Sequence, residues 1–441
     1  MSNIQTLTNC TIITVNDNDE FFENGRIVIR DNRIAAVGSA ENVMIQGEAV
    51  DMQGRLVMPG LINTHTHSYS SALRNAADDL RLMEWLHTAI WPMEKHLSYD
   101  RSIAASTMSC LEYLQSGITT YVDMFYYADA TAKAGRRSGL RCVLAVGSFS
   151  FPTSESDDST GKAEEFIREY KGHEEETLVY PAIGPHAPYT VDEETWHRCM
   201  DIADRYGVLL HTHLSETEDE NNQIREKTGM SPTAWLDSMG VFNRPVLTAH
   251  SVHLDENDLD IYAKHHVSVS YNPVSNLKLV SGIMPLKEMW ERNITVSLGT
   301  DGAQSNNSMD LLRDLRTGVL IQKQYNNDAA FFNARDAVRM VTIEGARAIG
   351  MEDCLGSLEP GKYADLIAFD PASPRLTPLH RGSLKNLYAT LTYSACGADV
   401  TDSMVNGRWL MRNRSVLSMD AEQVRRDLQD ASAYMTKDVL Y

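Results

Sequence analysis

The sequence predicts an α/β protein, a (β/α)8 TIM-type barrel with a small β-sandwich domain built from both chain ends. Three observations carry this expectation. Eight short apolar runs alternate with amphipathic helical stretches, the pattern of βαβ units around a parallel sheet. Nearly every run begins apolar and closes on His, Asp, Glu, Asn or Ser, and a catalytic barrel gathers its polar residues at the C-terminal ends of its strands. The two ends of the chain alternate instead with period two and carry turn signals such as Asp31-Asn32.

Residues 1–57 (TIITVNDNDE, GRIVIRDNRIAAVG, AVDMQGRLVMP) read as short antiparallel strands of the sandwich. The barrel is predicted over 58–360. Its first four strands are LVMPGLINTHTH ending at His67, TTYVDMF ending at Phe125, RCVLAVGS ending at Ser148 and LVYPAIGPH ending at His186. VLLHTHLSE then ends at Glu216, PVLTAHSVH at His253, VSVSYNP at Pro273 and TVSLGTDG at Gly302. Between them, AASTMSCLEYLQSG, GKAEEFIREYKGHEEE, DEETWHRCMDIADRYG and DLLRDLRTGVLIQKQYN repeat apolar residues at three and four, as helices do. Pro152 to Gly161 (PTSESDDSTG) reads as a surface loop. Residues 361–441 return to strands (KYADLIAFD, DSMVNGRWLMRN) and close on a helix, DAEQVRRDLQDASAYMTK. Neither end is long enough for a core of its own, so the two are expected to build one sandwich together.

Composition narrows the function. With 43% hydrophobic and 23% charged residues among 441, the chain is of ordinary globular make-up. Its 40 Lys+Arg against 60 Asp+Glu leave a net charge of −20, which disfavours nucleic acid and anionic membranes as partners and leaves a small-molecule substrate. The first residues lack a basic stretch followed by an apolar core, and no uncharged apolar run nears the roughly 20 residues that span a bilayer. We therefore expect a cytoplasmic protein, working as a homo-oligomer. The six cysteines are scattered without a C-x-x-C pair, which argues against a thiolate zinc site or a redox dithiol.

His65 and His67 lie two apart on a strand, so both side chains project to one face. A lone interior histidine is ordinarily a hydrogen-bonded core residue, but H-x-H at the end of an apolar barrel strand favours a metal. VLLHTHLSE offers His211 and His213 as a third ligand. The choice falls on His213 because Glu216, three residues on, would set a carboxyl beside the metal's water. Asp301 ends the eighth strand, next to the first once the barrel closes, where it can ligate and take a proton, although a helix N-cap would explain it too. Three nitrogens and one carboxylate leave a position open for water, which is how a catalytic zinc site is built. His250 and His253 compete for a place beside that water. His186 in GPHAPY is a candidate substrate contact or a structural hydrogen bond to a loop, and Trp85 and Trp91 are candidate lid residues, Trp85 as a substrate contact.

Assembled in this order, the chain resembles the amidohydrolase superfamily and, within it, the ATZ/TRZ-type aminohydrolases: triazine hydrolases, guanine deaminases and S-adenosylhomocysteine/methylthioadenosine deaminases. The motifs run nearly the whole length, from RLVMPGLINTHTH through DLRLMEWLHTAIWPMEKHL, GPHAPYT, HTHLSE, TAHSVHL, SYNPVSNLKLVSGIMP and GTDGAQSNN to GSLEPGKYADLIAFD. The resemblance implies one divalent metal per subunit, Zn2+ first and Fe2+ as the alternative, without the carboxylated lysine of binuclear relatives. It implies His65, His67, His213 and Asp301 as ligands, Glu216 as proton shuttle to a ring nitrogen and His250 as a catalytic hydrogen-bond donor. It further implies Glu94 on the ribose hydroxyls, with Ser305 and His186 touching base or sugar.

Two departures shape the substrate. The arginines that hold the amino-acid carboxylate of S-adenosylhomocysteine are not in place: the third-strand position is Val146 and the loop position at best Lys162. The segment SYSSALRNAADD also differs from the APMTLLRG-like form of those deaminases. The expectation is therefore a hydrolytic deaminase of methylthioadenosine, 5′-deoxyadenosine or adenosine, with S-adenosylhomocysteine the less favoured substrate. The alternatives are an aminohydrolase or chlorohydrolase acting on guanine, pterin or s-triazine, and a barrel that serves as a non-catalytic scaffold, from which a ligand would be missing.

Overall fold

The computed structural model describes residues 3–80 and 82–439. Two compact units emerge. One holds the chain up to Asn63 together with Glu112–Thr120 and Asp310–Asp420; the other holds Thr64–Leu111, Tyr121–Met309 and the chain from Ala421.

The first unit is built on one mixed sheet. Strands β1 (Ile4–Ile13), β2 (Phe21–Arg30), β3 (Arg33–Ser39), β4 (Glu48–Asp51) and β5 (Leu56–Pro59) come from the N-terminal end. β1 pairs antiparallel with β2 but parallel with β4 and β5, so the sequence's expectation of antiparallel strands is met only in part. The two-stranded excursion between β1 and β4 brings the chain back along the same direction, which makes parallel pairing the available one.

The eight apolar runs form an eight-stranded parallel barrel. Its strands are β6 (Leu61–Thr66), β7 (Ile118–Phe125), β8 (Arg141–Ser148), β9 (Val179–Pro185), β10 (Leu210–Leu214), β11 (Val246–His250), β12 (Ser268–Tyr271) and β13 (Val296–Leu298). They neighbour one another in chain order. The two ends meet where the Asp301 amide donates to the His65 carbonyl at 3.0 Å and the Thr64 hydroxyl donates to the Leu298 carbonyl at 3.1 Å. The strands are shorter than the apolar runs suggested, because Ser215, Glu216 and Pro273 already turn into loops or helices. Helices start where a polar side chain can satisfy the first free amides: Asp192 accepts from Thr195, Thr217 from Glu220, and Asp255 from Asp258. The helix Glu193–Tyr206 stops at Gly207, whose φ of 58° suits a residue without Cβ. The surface loop expected over Pro152 to Gly161 ends at Asp158, whose side chain caps the helix Ser159–Tyr170, so Ser159, Thr160 and Gly161 are helical.

Strands β14 (Leu366–Phe369), β15 (Val400–Val405), β16 (Arg408–Arg412) and β17 (Ser415–Val416) complete the mixed sheet, in the order β17-β16-β15-β14-β5-β1-β2-β3. Leu7, Ile12 and Ile27 from one half share a core with Leu366, Ala368 and Met404 from the other. The predicted sandwich is thus one continuous sheet from both chain ends folded over a common core. The last helix, Ala421–Met435, belongs to the second unit, where Met435 and Leu428 pack in a cluster with Trp85, Ala89, Met93 and Leu97. All six cysteines are free thiols.

Candidate metal centre and cavity

Three strand ends, those of β6, β10 and β13, bring four polar residues to one point. The Nε2 of His213 lies 3.3 Å from the Nε2 of His67. Asp301 Oδ1 lies 3.5 Å from His65 Nε2 and 3.4 Å from His67 Nε2. All four residues are buried. Each imidazole is committed at its other nitrogen. His67 Nδ1 sits 2.6 Å from the Met124 carbonyl and His213 Nδ1 sits 2.8 Å from the His186 carbonyl. A carbonyl only accepts, so these Nδ1 atoms carry the proton and Nε2 keeps its lone pair. Burial drives His65 and His213 well below the usual imidazole range, so both are neutral. Burial alone would raise Asp301, yet the imidazoles of His65, His67 and His250 around it hold its carboxyl well below the usual carboxylate range. Its Oδ2 accepts from the Ser275 and Ser305 hydroxyls at 2.6 and 2.9 Å, and its Oδ1 accepts from the Gly302 amide at 2.7 Å. Lone pairs converging with no proton between them, beside a carboxylate, fit a cation. The groups His65–His67–His213 and His65–His250–Asp301 can each hold a metal ion.

His211, the other histidine of that strand, turns away from this point and lies behind His65, with its Nε2 2.8 Å from His65 Nδ1. His253 is also outside the cluster, its Nε2 bonded to the Ser281 carbonyl at 2.6 Å. His250 faces it. Burial alone would depress this imidazole, yet the carboxylates of Glu216 and Asp301 raise it above its ordinary value. Its Nδ1 pairs with Asn276 Oδ1 at 2.8 Å and its Nε2 lies 3.7 Å from Glu216 Oε2. Ser215, His250 and Asp301 take φ values of 52°, 72° and 59°, left-handed backbone that costs a non-glycine residue energy and that clusters at functional sites.

The cluster forms the floor of a cavity of about 490 Å3. Glu216, His250, His186 and Ser305 line it, and its walls include Tyr69, Phe125, Phe149 and Leu279. Tyr69 stacks on Phe125 with centroids 4.2 Å apart. Flat apolar walls over a polar floor suit a planar heterocycle. His186 does both things open to it: its ring faces the cavity and stacks on Phe149, while its Nδ1 pairs with Thr190 Oγ1 at 2.9 Å. Burial lowers it to about 3, so the ring is neutral.

Glu94 reaches the same cavity from a short helix, Trp91–Glu94, that follows a π-turn at Leu86–Ile90. It is 8% exposed, and Tyr69 donates its hydroxyl to Oε1. Burial pushes its carboxyl up to about 7 against the Tyr69 hydrogen bond. Trp85, expected on a lid and as a substrate contact, is 5% exposed in an apolar cluster with Met93 and Leu97, its indole on the Ala77 carbonyl at 2.9 Å, and it also lines the cavity. Trp91 is exposed at the rim. Arg81, inside the motif that carries Glu94, lies outside the described residues. Val146 is buried in β8, and Lys162 pairs with Glu165 away from the cavity.

Sequence reasoning passed over Tyr69, Ser275, Asn276 and Glu220. Glu220 is buried and takes the Ser215 and Glu216 amides at 3.0 and 2.8 Å, fixing the turn that presents Glu216. The T-x-x-E spacing of Thr217 and Glu220 was the available signal, since it marks a helix start with a carboxylate folded back.

A model of the amidohydrolase family matches residues 56–410. The chain belongs to this family. An amidohydrolase of this kind is a hydrolase acting on C–N bonds, and its curated relatives agree. It is 38% identical over 432 residues to a 5-methylthioadenosine/S-adenosylhomocysteine deaminase of Pelotomaculum thermopropionicum, covering 97% of this chain and 98% of the relative. It is 39% identical over 428 residues to a 5′-deoxyadenosine deaminase of Methanosarcina acetivorans, covering 97% of each. Among solved structures, a zinc-bound adenosine deaminase from Xanthomonas campestris superposes with a TM-score of 0.94 at 29% identity, covering 98% of each chain. Among the described residues, no helix of this amidohydrolase is long and apolar enough to cross a membrane.

Proposed function

We propose that this amidohydrolase is a zinc-dependent hydrolytic deaminase of a 5′-modified adenosine, with 5′-deoxyadenosine, methylthioadenosine and adenosine as its leading substrates and ammonia as product. The observation that carries the reading is a single cavity joining the His/Asp cluster to the buried carboxylate of Glu94. A heterocycle at the floor and a ribose diol at Glu94 would fill it, and the deaminase relatives support that occupant. Val146 and Lys162 do not reach the cavity, which favours a nucleoside without an amino-acid tail, and Lys95 is the lysine that lines it. We assign the catalytic barrel to residues 58–360, flanked by 1–57 and 361–441.

In this reading His65, His67, His213 and Asp301 hold the metal. When bound, the ion supplies a Lewis acid that lowers the pKa of a water toward about 7. Asp301 would accept the proton that water gives up and return it to the exocyclic amine, which leaves as ammonia when the C–N bond breaks. Glu216, held by the Ser281 hydroxyl at 3.1 Å, delivers a proton to the ring nitrogen beside the attacked carbon, so charge does not build on the ring as aromaticity is lost. His250, protonated between Glu216 and Asp301, donates from Nε2 to the oxygen that develops at that carbon. Tyr69 engages one Glu94 oxygen and leaves the other to accept from ribose. His186 and Phe149 bound the base.

Comparing ammonia release from 5′-deoxyadenosine and from free adenine tests this. The nucleoside should be turned over with at least about 100-fold higher kcat/KM, since two charge-assisted hydrogen bonds to a buried carboxylate are worth roughly 1.5–3 kcal/mol each. Equal rates would remove the ribose from the reading.

A further inference from the structure

His211 belongs to no donor set, yet it is fully buried against the cluster. Its hydrogen bonds run in one direction. The Leu247 carbonyl, 2.8 Å from His211 Nδ1, can only accept, so Nδ1 carries the proton and Nε2 keeps its lone pair. That Nε2 lies 2.8 Å from His65 Nδ1, which therefore carries a proton and donates it. The Nε2 of His65 is left with its lone pair toward Asp301. His67 and His213 have their tautomers set by backbone carbonyls, which no substitution removes. Among the three imidazoles, His65 is the one that takes its orientation from another side chain.

We propose that His211 is a positioning residue that sets metal affinity by holding His65 in its ligating tautomer and ring orientation. The inference rests on the proposed metal site. Metal-ligating histidines depend on the partner of their second nitrogen, and loss of that partner typically weakens affinity by about 10–100-fold. Here the partner is a neutral imidazole rather than a carboxylate, so it fixes the ring without adding charge behind the ligand.

The test uses the full chain and the variants His211→Gln, His211→Asn and His211→Leu. Zinc affinity is read by competition with a chromophoric chelator, the ligand field by the visible spectrum of the cobalt-substituted protein, and folding by thermal melts of the metal-free forms. Gln extends an acceptor about as far as Nε2 and should keep the zinc Kd within about threefold, while Asn falls short and Leu offers none, so each should weaken it by about 10–100-fold. The cobalt spectrum should shift in Asn and Leu and be rescued in Gln. If Leu does not fold, the Gln and Asn pair decides alone, both being polar and similar in volume. An Asn variant with a wild-type melt, wild-type Kd and unchanged cobalt spectrum would overturn the proposal, as would a Gln variant no better than Asn. A wild-type chain that takes up neither zinc nor cobalt would instead overturn the metal site itself, a failure read before any variant is made.

Discussion

Glu216 sits where a proton can be passed rather than where a metal can be held: its Oε2 is 3.7 Å from His250 Nε2, and its backbone is pinned by Glu220. Replacing it should therefore separate binding from chemistry. Glu216→Gln keeps the hydrogen bond from Ser281 and the metal, and should lower kcat by about 10²–10⁴-fold, the usual worth of a positioned proton donor. Metal content by elemental analysis beside kcat checks this. A variant of wild-type rate would end the role assigned to Glu216, and one that loses its metal would move Glu216 into the ligand group. At the same scale, the two histidines of VLLHTHLSE show what a sequence alone leaves open. Both face inward, two residues apart, and only the register of β10 against β9 and β11 decides that His213 meets His67 while His211 stands behind His65.

Strand ends do the assembling. β13 closes against β6 through Asp301 and Thr64, and Gly299 lies in that seam. A Cβ there would fall 2.6 Å from Asn272 Oδ1, 2.6 Å from Ser270 Oγ and 2.8 Å from the His65 amide. Backbone and buried polar atoms cannot move aside cheaply, so Gly299→Ala should lower stability by about 1–3 kcal/mol, read in a thermal or urea melt, and should weaken metal retention through His65. An unchanged melting temperature would show that the seam has slack. The eight barrel strands were legible because each is a short apolar run between helical periods, most of them with a polar residue at or near the end. The mixed sheet was less so: alternation announces strands but not their partners, and β1 chooses β2, β4 and β5 through long-range register. The support of Glu94 was illegible for a different reason. Trp85 looks like a lid residue in isolation, and only the arrival of Met435 and Leu428 from the last helix shows the apolar cluster it shares with Met93.

Across the whole molecule, buried carboxylates tie stability to pH. Glu94 is raised by burial from 4.5 to about 7. Between those values the folded chain keeps a proton that the unfolded chain has released, so the folded state binds more protons and stability falls as pH rises. The cost is absent below pH 4.5, grows through the interval and levels off above about 7, at roughly 3 kcal/mol by the worth of a pKa unit. Glu94→Gln, which cannot ionise, should flatten this slope in urea denaturation at pH 5 and pH 8. A variant with the wild-type slope would mean that Glu94 is ionised at ordinary cost in the folded chain. Glu220, likewise raised to about 7 chiefly by burial, adds a slope of the same sign that the variant leaves in place. A net charge of −20 also favours the lower pH, through reduced self-repulsion, and is nearly common to both proteins.

The central claim is that four strand-end residues hold a metal on which deamination of an adenosine-type nucleoside depends. Ammonia release from 5′-deoxyadenosine, measured before chelation, after chelation and after one equivalent of zinc per chain is returned, tests it most directly. The account predicts turnover that disappears on chelation and returns with zinc. Turnover indifferent to chelation in a protein shown to be metal-free, or a zinc-loaded protein that releases no ammonia from any adenosine-type nucleoside, would contradict it.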